Sequence, residues 1–233
     1  MATTTAIIVH YWLERTSHIA RIVRDLHQGS VVPDKIIVFN NNKKIVLPAM
    51  PGVAVVNSTH NFHCPVRHAI GLIAGTELCL FVDDDVTLRR DGLEYLLTAH
   101  DIFPEAILGF EGRKLGSDKN APYTSGHRVH NVAVPTSVDI VLGRVHFCKT
   151  SKLISAFATR QGIESSYGED DIFLSLSNDA QNYVLPSKMI ELGEKGVGLY
   201  HRANHYSLRN ECCLGVLELR RRQDEQGISG RNG

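Results

Sequence analysis

The chain has 233 residues, of which 43% are hydrophobic, and this is enough for one domain with a buried core. Its 25 basic and 25 acidic residues cancel, so the overall charge favours neither a nucleic acid nor an anionic membrane as partner. We find no apolar run long enough to span a membrane and no signal peptide, and we expect a cytoplasmic protein. Five cysteines without CxxC spacing predict reduced thiols rather than a zinc site.

Strand-length apolar runs alternate with stretches of helical periodicity in the first half of the chain. The predicted strands are 5–10, 35–39, 53–56 and 78–82. The predicted helices are 17–27, 65–74 and 91–100, and a further strand follows at 106–110. Continuous apolar strands that alternate with helices are typical of a parallel sheet covered on both faces. Such a sheet binds its ligands beyond the carboxyl ends of its strands.

The second half of the chain has a different pattern. Residues 112–135 are rich in Gly, Asn, Ser, His and Pro, which predicts a long irregular excursion with a binding role. Strands are predicted at 137–142 and 145–148, and helices at 151–158, 169–176 and 204–222, the last packing against the sheet as a closing helix. The polar tail 223–233 is predicted to be disordered. The sequence therefore indicates a single α/β domain with a doubly wound, mostly parallel sheet flanked by helices.

The most informative segment is an apolar strand that ends in three consecutive carboxylates, Asp83, Asp84 and Asp85. At an effective dielectric constant near 20, two like charges about 4 Å apart repel by roughly 4 kcal/mol, so a bound cation would relieve the repulsion. Oxygen ligands favour Mg²⁺, Mn²⁺ or Ca²⁺ over zinc and leave coordination positions for phosphate oxygens. The alternative is a solvated turn after a strand. A calcium loop of EF-hand type is disfavoured, because its glycine and glutamate would fall at the wrong offsets.

Two further clusters carry candidate chemistry. Glu169, Asp170 and Asp171 follow a glycine and precede an apolar run, which is typical of a helix N-terminus whose dipole stabilises carboxylates. A carboxylate there could instead deprotonate or orient an acceptor hydroxyl, or stabilise a positively charged sugar intermediate. The segment 199–206 precedes the closing helix, and its imidazole and guanidinium groups could complete a metal site or bind a diphosphate. The alternative for its histidines is an ordinary surface or core position.

With these clusters together, the chain resembles the metal-dependent glycosyltransferases of the GT-A fold and, within them, the exostosin-like glycosyltransferase domain. The motifs that carry the resemblance occur in the family's order, namely IIVFNN at 36–41, VDDD at 82–85, ILGFEGRK at 107–114, DDI at 170–172 and HRANH at 201–205. The chain is also similar in general appearance to the capsid-glycosylating enzymes of giant algal viruses. Such an origin would place it in the host cytoplasm.

The resemblance implies a GT-A domain over 1–222, with a nucleotide-sugar and metal half at 1–112 and an acceptor half with the closing helix at 113–222. It implies that Asp85 and Asp83 bind Mn²⁺, with Mg²⁺ as the alternative ion, and that Asp83 and Asp84 lie at the ribose and the sugar. Asp171, with Asp170 beside it, matches the acid at the reaction centre. The implied contacts to the UDP part of the donor are Arg15, Asn40, Asn41, Asn61, Arg67, His201, Arg202 and His205.

The implied function is transfer of a hexose from a UDP-sugar to a hydroxyl of a glycan or glycoprotein acceptor, with retention of configuration through front-face attack. A nucleotidyltransferase that makes nucleotide sugars is an alternative, but residues 10–15 lack the glycine-rich triphosphate loop that it needs. A binding module without turnover is a second alternative, and both acidic clusters argue against it. The sequence departs from the family at Glu169, where a non-acidic residue is expected, and at 116–134, where we expect the acceptor to bind.

Overall fold

The computed structural model describes residues 2–161, 163, 169–193 and 196–225. Within these ranges the strands are β1 (Thr4–His10), β2 (Lys35–Asn40), β3 (Ala54–Asn57), β4 (Leu78–Asp83), β5 (Val86–Leu88), β6 (Leu108–Gly109), β7 (Glu111–Lys114), β8 (His127–His130), β9 (Thr136–Val138), β10 (Ile140–Val141), β11 (Val145–Lys149), β12 (Asn182–Val184) and β13 (Met189–Glu191). The α-helices are α1 (Thr16–His27), α2 (Val66–Ala74), α3 (Gly92–Ile102), α4 (Pro122–Ser125), α5 (Lys152–Gln161), α6 (Asp170–Leu176) and α7 (His205–Glu225). Single 3₁₀ turns cover Leu13–Arg15 and Leu199–His201.

The central sheet has the strand order β3-β2-β1-β4-β11-β6-β12-β9. Its first four strands are parallel, β11 runs antiparallel to both β4 and β6, and β12 is parallel to β6. In the β1 register His10 lies opposite Asn40 and Val9 lies opposite Asp83, so the carboxyl ends of β1, β2 and β4 meet at one edge. The predicted α/β class with a mostly parallel sheet is therefore confirmed.

Helices cover both faces of this sheet. Successive residues of each strand point to opposite faces, so each strand packs against helices on both sides. On one face Ile8 packs in a cluster with Ile19 and Ile22 of α1. On the other face Ile7 packs in a second cluster with Ile70 of α2 and Phe173 of α6. Every residue of β1 is buried, which explains why such a strand is a continuous apolar run, as the sequence predicted.

The structure corrects the description of residues 112–135 as an irregular excursion. This segment contains most of β7, the short helix α4 and strand β8, and β7 is the central strand of a second sheet with the order β10-β7-β8. The predicted strand 137–142 is divided at Asp139 into β9, which joins the central sheet, and β10, which joins the second sheet. The chain changes sheets at Asp139 because its backbone N–H donates to Arg113 O and its carboxylate accepts from Leu115 N.

Most other predicted elements agree with the structure apart from small changes at their ends, but of the predicted strand 106–110 only Leu108–Gly109 forms a strand, β6. Helix α7 continues to Glu225, so the predicted disordered tail does not begin at residue 223, and 226–233 lies outside the described residues. The three-residue strands β5, β12 and β13 have no counterpart in the prediction. All five cysteines are free and buried. None of the helices in the described ranges is both long and apolar enough to cross a bilayer.

Candidate active site

A cleft with a volume of about 490 Å³ lies beyond the carboxyl ends of β1 and β4, where a parallel sheet is expected to bind its ligands. Both acidic clusters reach it, the first from the end of β4 and the second from the start of α6. The predicted site residues in its lining are Arg15, Asn61, Arg67, Asp83, Asp84, Asp85, Asp170, Asp171, Arg202 and His205.

The buried carboxylate of Asp84 holds the loop after β1 against β4. Its Oδ2 accepts the backbone N–H of Tyr11 at 2.9 Å, and its Oδ1 accepts from Arg15 Nη1 at 2.8 Å. The Asp84 carbonyl oxygen lies 2.9 Å from Nδ1 of His18 in α1. These partners occupy both carboxylate oxygens of Asp84. Asp84 therefore stabilises the cleft wall in addition to lining the cleft.

Asp83 and Asp85 face the cleft more directly. Asp83 Oδ1 accepts from Arg67 Nη1 at 2.8 Å, and Asp85 Oδ2 lies 3.2 Å from Arg15 Nη1. Burial raises the pKa of Asp83 to about 7, and repulsion from Asp85 and Asp84 adds to this rise while Arg67 opposes it. Arg15 is shared between Asp84 and Asp85, and Arg67 is shared between Asp83 and Asp170, so these two arginines face four carboxylates.

A divalent cation fits this excess of carboxylate charge. Among the described residues, no group of three or more His, Cys, Asp or Glu side chains is arranged as a preformed metal site. Asp83 and Asp85 nevertheless offer hard oxygen ligands on the cleft wall. Two carboxylates leave open coordination positions, which is the arrangement expected when substrate phosphates complete the shell of Mg²⁺ or Mn²⁺.

Arg67 of α2 connects the two acidic clusters. Its Nε and Nη2 form two hydrogen bonds with the carboxylate of Asp170, the second at 3.0 Å, while its Nη1 binds Asp83 and the carbonyl oxygen of Gly143 at 2.8 Å each. Burial opposes ionisation of Asp170, but the charge and hydrogen bonds of Arg67 hold its pKa well below the usual range. A Cβ atom at position 143 would lie 2.8 Å from Arg67 Nη2, so a larger residue there would displace this guanidinium from its partners.

Asp171 is oriented from the other side of the cleft by the closing helix. Arg209 of α7 donates from Nη2 to Asp171 Oδ2 at 2.5 Å. The Arg209 guanidinium carbon lies 4.5 Å from the centre of the Tyr123 ring, and Arg113 lies 4.3 Å from that ring. These cation–π contacts fix Arg209, and Arg209 in turn fixes the carboxylate that reaches the cleft.

Three predicted donor contacts lie elsewhere. Asn40 is buried and donates to Asn57 Oδ1 at 2.9 Å, while Asn41 donates to Asn61 Oδ1 at 3.0 Å and accepts from Phe62 N at 2.7 Å. Both asparagines thus hold loops and do not line the cleft. His201 is exposed in the second 3₁₀ turn, with its ring 4.1 Å from that of Tyr200, and does not line the cleft either.

Several residues of the site were not predicted from the sequence. Arg209 lies one helical turn after His205 on α7, so helical spacing alone could have placed both on one face. The others in the lining come from the second sheet, from loops, from the second 3₁₀ turn and from the start of α7, and include Tyr11, Glu111, Arg113, Arg128, Arg144, Tyr200 and Tyr206. Their positions depend on pairings between segments far apart in the chain, for which the sequence contains no local signal.

Comparison with known proteins relates this geometry to a family. Exostosin-like 2 of Mus musculus is 25% identical to this chain in an alignment of length 162 that covers 62% of this chain and 48% of that protein. The chain thus spans about half the length of the curated relative that it matches.

Solved glycosyltransferase structures share the fold. GalNAc-T7 with UDP, GalNAc and Mn²⁺ superposes with a TM-score of 0.60 at 10% identity, over 80% of this chain and 43% of that one. TarS 1–349 of S. aureus in complex with UDP-GlcNAc gives a TM-score of 0.60 at 12% identity, over 92% of this chain and 66% of that one. The fold is therefore of the GT-A type. The model of the glycosyl transferase family 64 domain matches residues 4–220, and the chain belongs to this family.

Proposed function

We propose that this chain is a metal-dependent glycosyltransferase that moves a hexose from a UDP-sugar to a hydroxyl group of a glycan or glycoprotein acceptor. The observation that carries the proposal is the placement of Asp83 and Asp85 on one wall of a single cleft and of Asp171 on another. Membership of the family supports the reaction class. The donor is supported by structural neighbours that contain UDP or UDP-GlcNAc.

The chain's own cations suit a UDP leaving group. Arg15 and Arg202 line the cleft, and so does His205, whose pKa is lowered by burial so that its imidazole is neutral. Guanidinium groups bind diphosphate oxygens through paired hydrogen bonds and stabilise the negative charge that develops as the glycosidic bond breaks. A Mn²⁺ ion held by Asp85 and Asp83, or Mg²⁺ in its place, would supply Lewis-acid neutralisation of the same diphosphate.

Asp171 is the proposed carboxylate at the reaction centre. Its ion pair with Arg209 keeps the side chain at the cleft wall in one orientation. A carboxylate in this position stabilises the positive charge that develops on the sugar ring and accepts a hydrogen bond from the acceptor hydroxyl. Retention of configuration by front-face attack is what the resemblance to the exostosin-like domain implies, and we include it in the proposal.

The acceptor is proposed to bind on the side formed by the second sheet and α4. Arg113, Tyr123 and Arg128 come from these elements and line the cleft. The division of the chain into a donor half at 1–112 and an acceptor half at 113–222 stays a prediction, as does cytoplasmic localisation. Strand β7 spans the proposed boundary, so the two halves share one fold.

The experiment is a panel of UDP-sugars incubated with the full chain and Mn²⁺, with release of UDP as the readout and EDTA as the comparison. We expect one sugar to be hydrolysed slowly without acceptor, and only when metal is present. The matched variants are Asp85→Asn, which removes a cleft carboxylate, and Asp179→Asn, which removes an exposed carboxylate paired with Arg220. UDP binding without release of UDP from any sugar would indicate a binding module and contradict the proposal.

A further inference from the structure

Arg144 holds a fixed backbone position beside the β4 carboxylates. Its carbonyl oxygen accepts the backbone N–H of Asp83 at 3.0 Å, and the neighbouring carbonyl of Gly143 accepts from Arg67 at 2.8 Å. The loop between β10 and β11 is therefore tied both to the end of β4 and to α2. Any change of partners by Arg144 must take place in its side chain.

Three carboxylates surround the Arg144 guanidinium. Its Nη1 donates to Glu191 Oε1 at 2.8 Å and lies 3.5 Å from Glu111 Oε1. Its Nε lies 3.8 Å from Asp85 Oδ1 and makes no hydrogen bond within the described part of the chain. Arg144 thus binds Glu191 closely, while its attraction to Asp85 is an ion pair without hydrogen-bond geometry.

Glu191 is positioned so that its carboxylate can form a fuller ion pair with the Arg144 guanidinium. Strand β13 pairs with β5 so that Glu191 lies opposite Val86, and the next residue, Leu192, donates its N–H to the carbonyl oxygen of Asp85 at 2.8 Å. The Glu191 side chain is 69% exposed, compared with 19% for Arg144 and 11% for Asp85. A shift of the guanidinium toward Glu191 therefore moves its charge toward solvent and away from Asp85.

Arg15 is the contrasting neighbour. It also contacts Asp85, but its guanidinium is held by Asp84 Oδ1 at 2.8 Å and by the carbonyl oxygen of Val197 at 2.5 Å. These bonds belong to the cleft wall and do not depend on Asp85. Of the two arginines that the described ranges place beside Asp85, Arg144 is the one whose closest bond is to a side chain that lies largely in solvent.

We propose that Arg144 is a displaceable counterion for Asp85, which neutralises this carboxylate when no metal is bound and moves onto Glu191 when a divalent cation binds. Because the guanidinium and the cation compete for one carboxylate, Arg144 lowers the affinity of the metal-free protein for the cation. Glu191 raises that affinity by accepting the displaced charge. This inference rests on the proposed function, since it takes Asp85 as a metal ligand.

The test measures binding of Mn²⁺ alone to the full chain, without nucleotide, from the electron paramagnetic resonance signal of free Mn²⁺. For Arg144→Gln we expect Mn²⁺ to bind about fivefold more tightly, because a partly buried ion pair that competes with the cation is lost. Arg144→Lys keeps the charge and should stay close to the wild type. The matched control is Arg24→Gln, which removes the same charge and a 3.1 Å contact to Asp25 on α1 but no contact to Asp85, Glu111 or Glu191 in the described structure.

A double-mutant cycle isolates the role of Glu191. Glu191→Gln should weaken Mn²⁺ binding about threefold in the wild-type background, since Arg144 then has no exposed carboxylate to receive it. In the Arg144→Gln background the same substitution should have a clearly smaller effect. Thermal unfolding of each variant verifies that the measured protein is folded.

The outcomes separate this inference from the proposed function. Unchanged or weaker Mn²⁺ binding by Arg144→Gln, with normal binding by the wild type, would overturn the role of Arg144 and leave the proposed function standing. An equal effect of Glu191→Gln in both backgrounds would overturn it as well. A failure of every variant, including the wild type, to bind Mn²⁺ in the presence or absence of UDP would overturn both proposals.

Discussion

The two acidic clusters of the cleft are built in different ways. In the β4 cluster (Asp83, Asp84 and Asp85), the strand end and the backbone N–H of Tyr11 set the positions. In the α6 pair (Asp170 and Asp171), side chains from distant helices do this, Arg67 from α2 and Arg209 from α7. The backbone of the first cluster is thus fixed by the sheet, with Arg15 and Arg67 as further partners of its carboxylates, whereas the second cluster exists only when three helices are assembled.

Within each cluster adjacent carboxylates have different tasks. Asp84 and Asp170 are buried and use both oxygens on partners that hold the fold together. Asp85 and Asp171 reach the cleft through contacts with arginines. We therefore expect substitutions of Asp84 and Asp170 or their partners to reduce stability, and substitutions of Asp85 and Asp171 or their partners to reduce activity.

The largest effect is expected from Asp171→Asn. Because the amide cannot stabilise positive charge on the sugar, kcat should fall about a thousandfold while UDP affinity stays within about threefold of the wild type. Steady-state kinetics and UDP titration measure the two quantities. The matched control is Glu169→Gln, two residues earlier in the chain, which should change kcat much less. A loss of UDP binding equal to the loss of kcat would contradict the assignment.

Arg67→Met tests the structural member of the α6 pair. The substitution leaves the buried carboxylate of Asp170 without its ion pair, which should lower the free energy of unfolding by about 3 kcal/mol in urea denaturation. Adding Asp170→Asn removes the unpaired charge and should restore part of the loss. A single variant within about 1 kcal/mol of the wild type would show that Asp170 does not depend on Arg67.

Arg209→Lys examines how Asp171 is held. Lysine keeps the charge but loses the planar contact with Tyr123, so the carboxylate is less well oriented. We expect kcat to fall about thirtyfold with KM little changed, which is the behaviour of a positioning residue. Equal falls in kcat for Arg209→Lys and for Arg221→Lys, at an exposed arginine that pairs only within the same helix in the described structure, would contradict this role.

The buried imidazole of His146, close to the α6 pair, makes the stability of the protein depend on pH. Burial lowers the pKa of His146 to about 4, with Arg67 adding to the effect, whereas an unfolded histidine titrates near 6.5. The unfolded state therefore binds more protons between these values, so stability is lost as pH falls from 6.5 toward 4, by about 1.4 kcal/mol per pH unit. His146→Gln should reduce this slope in urea titrations at several pH values. An unchanged slope would contradict a neutral buried imidazole.

The sequence predicted the donor side of the molecule well because its signals are local. Strands such as β1 and β4 are continuous apolar runs, and the three carboxylates follow β4 directly. The second sheet was missed since strands of two to four residues have no detectable period. Asn40 and Asn41 matched a family motif, yet their amides satisfy loop hydrogen bonds.

The pairing of each arginine of the site with its carboxylate could not have been predicted. Arg67 and Asp170 are 103 residues apart in the chain, and Arg209 and Asp171 are 38 apart. Such pairs depend on how helices pack around the sheet, which no local pattern specifies. Arg144 likewise meets carboxylates from β7 and β13 only through the antiparallel pairings of the second half.

The central claim is that Asp85 belongs to the donor and metal site while Asp171 belongs to the reaction centre. Calorimetric titration of UDP into the wild type, Asp85→Asn and Asp171→Asn, each with Mn²⁺ and with EDTA, tests it most directly. We expect metal-dependent UDP binding in the wild type and in Asp171→Asn, and its loss in Asp85→Asn. UDP binding that is independent of Mn²⁺ in all three proteins, or that is lost equally in both variants, would contradict the account.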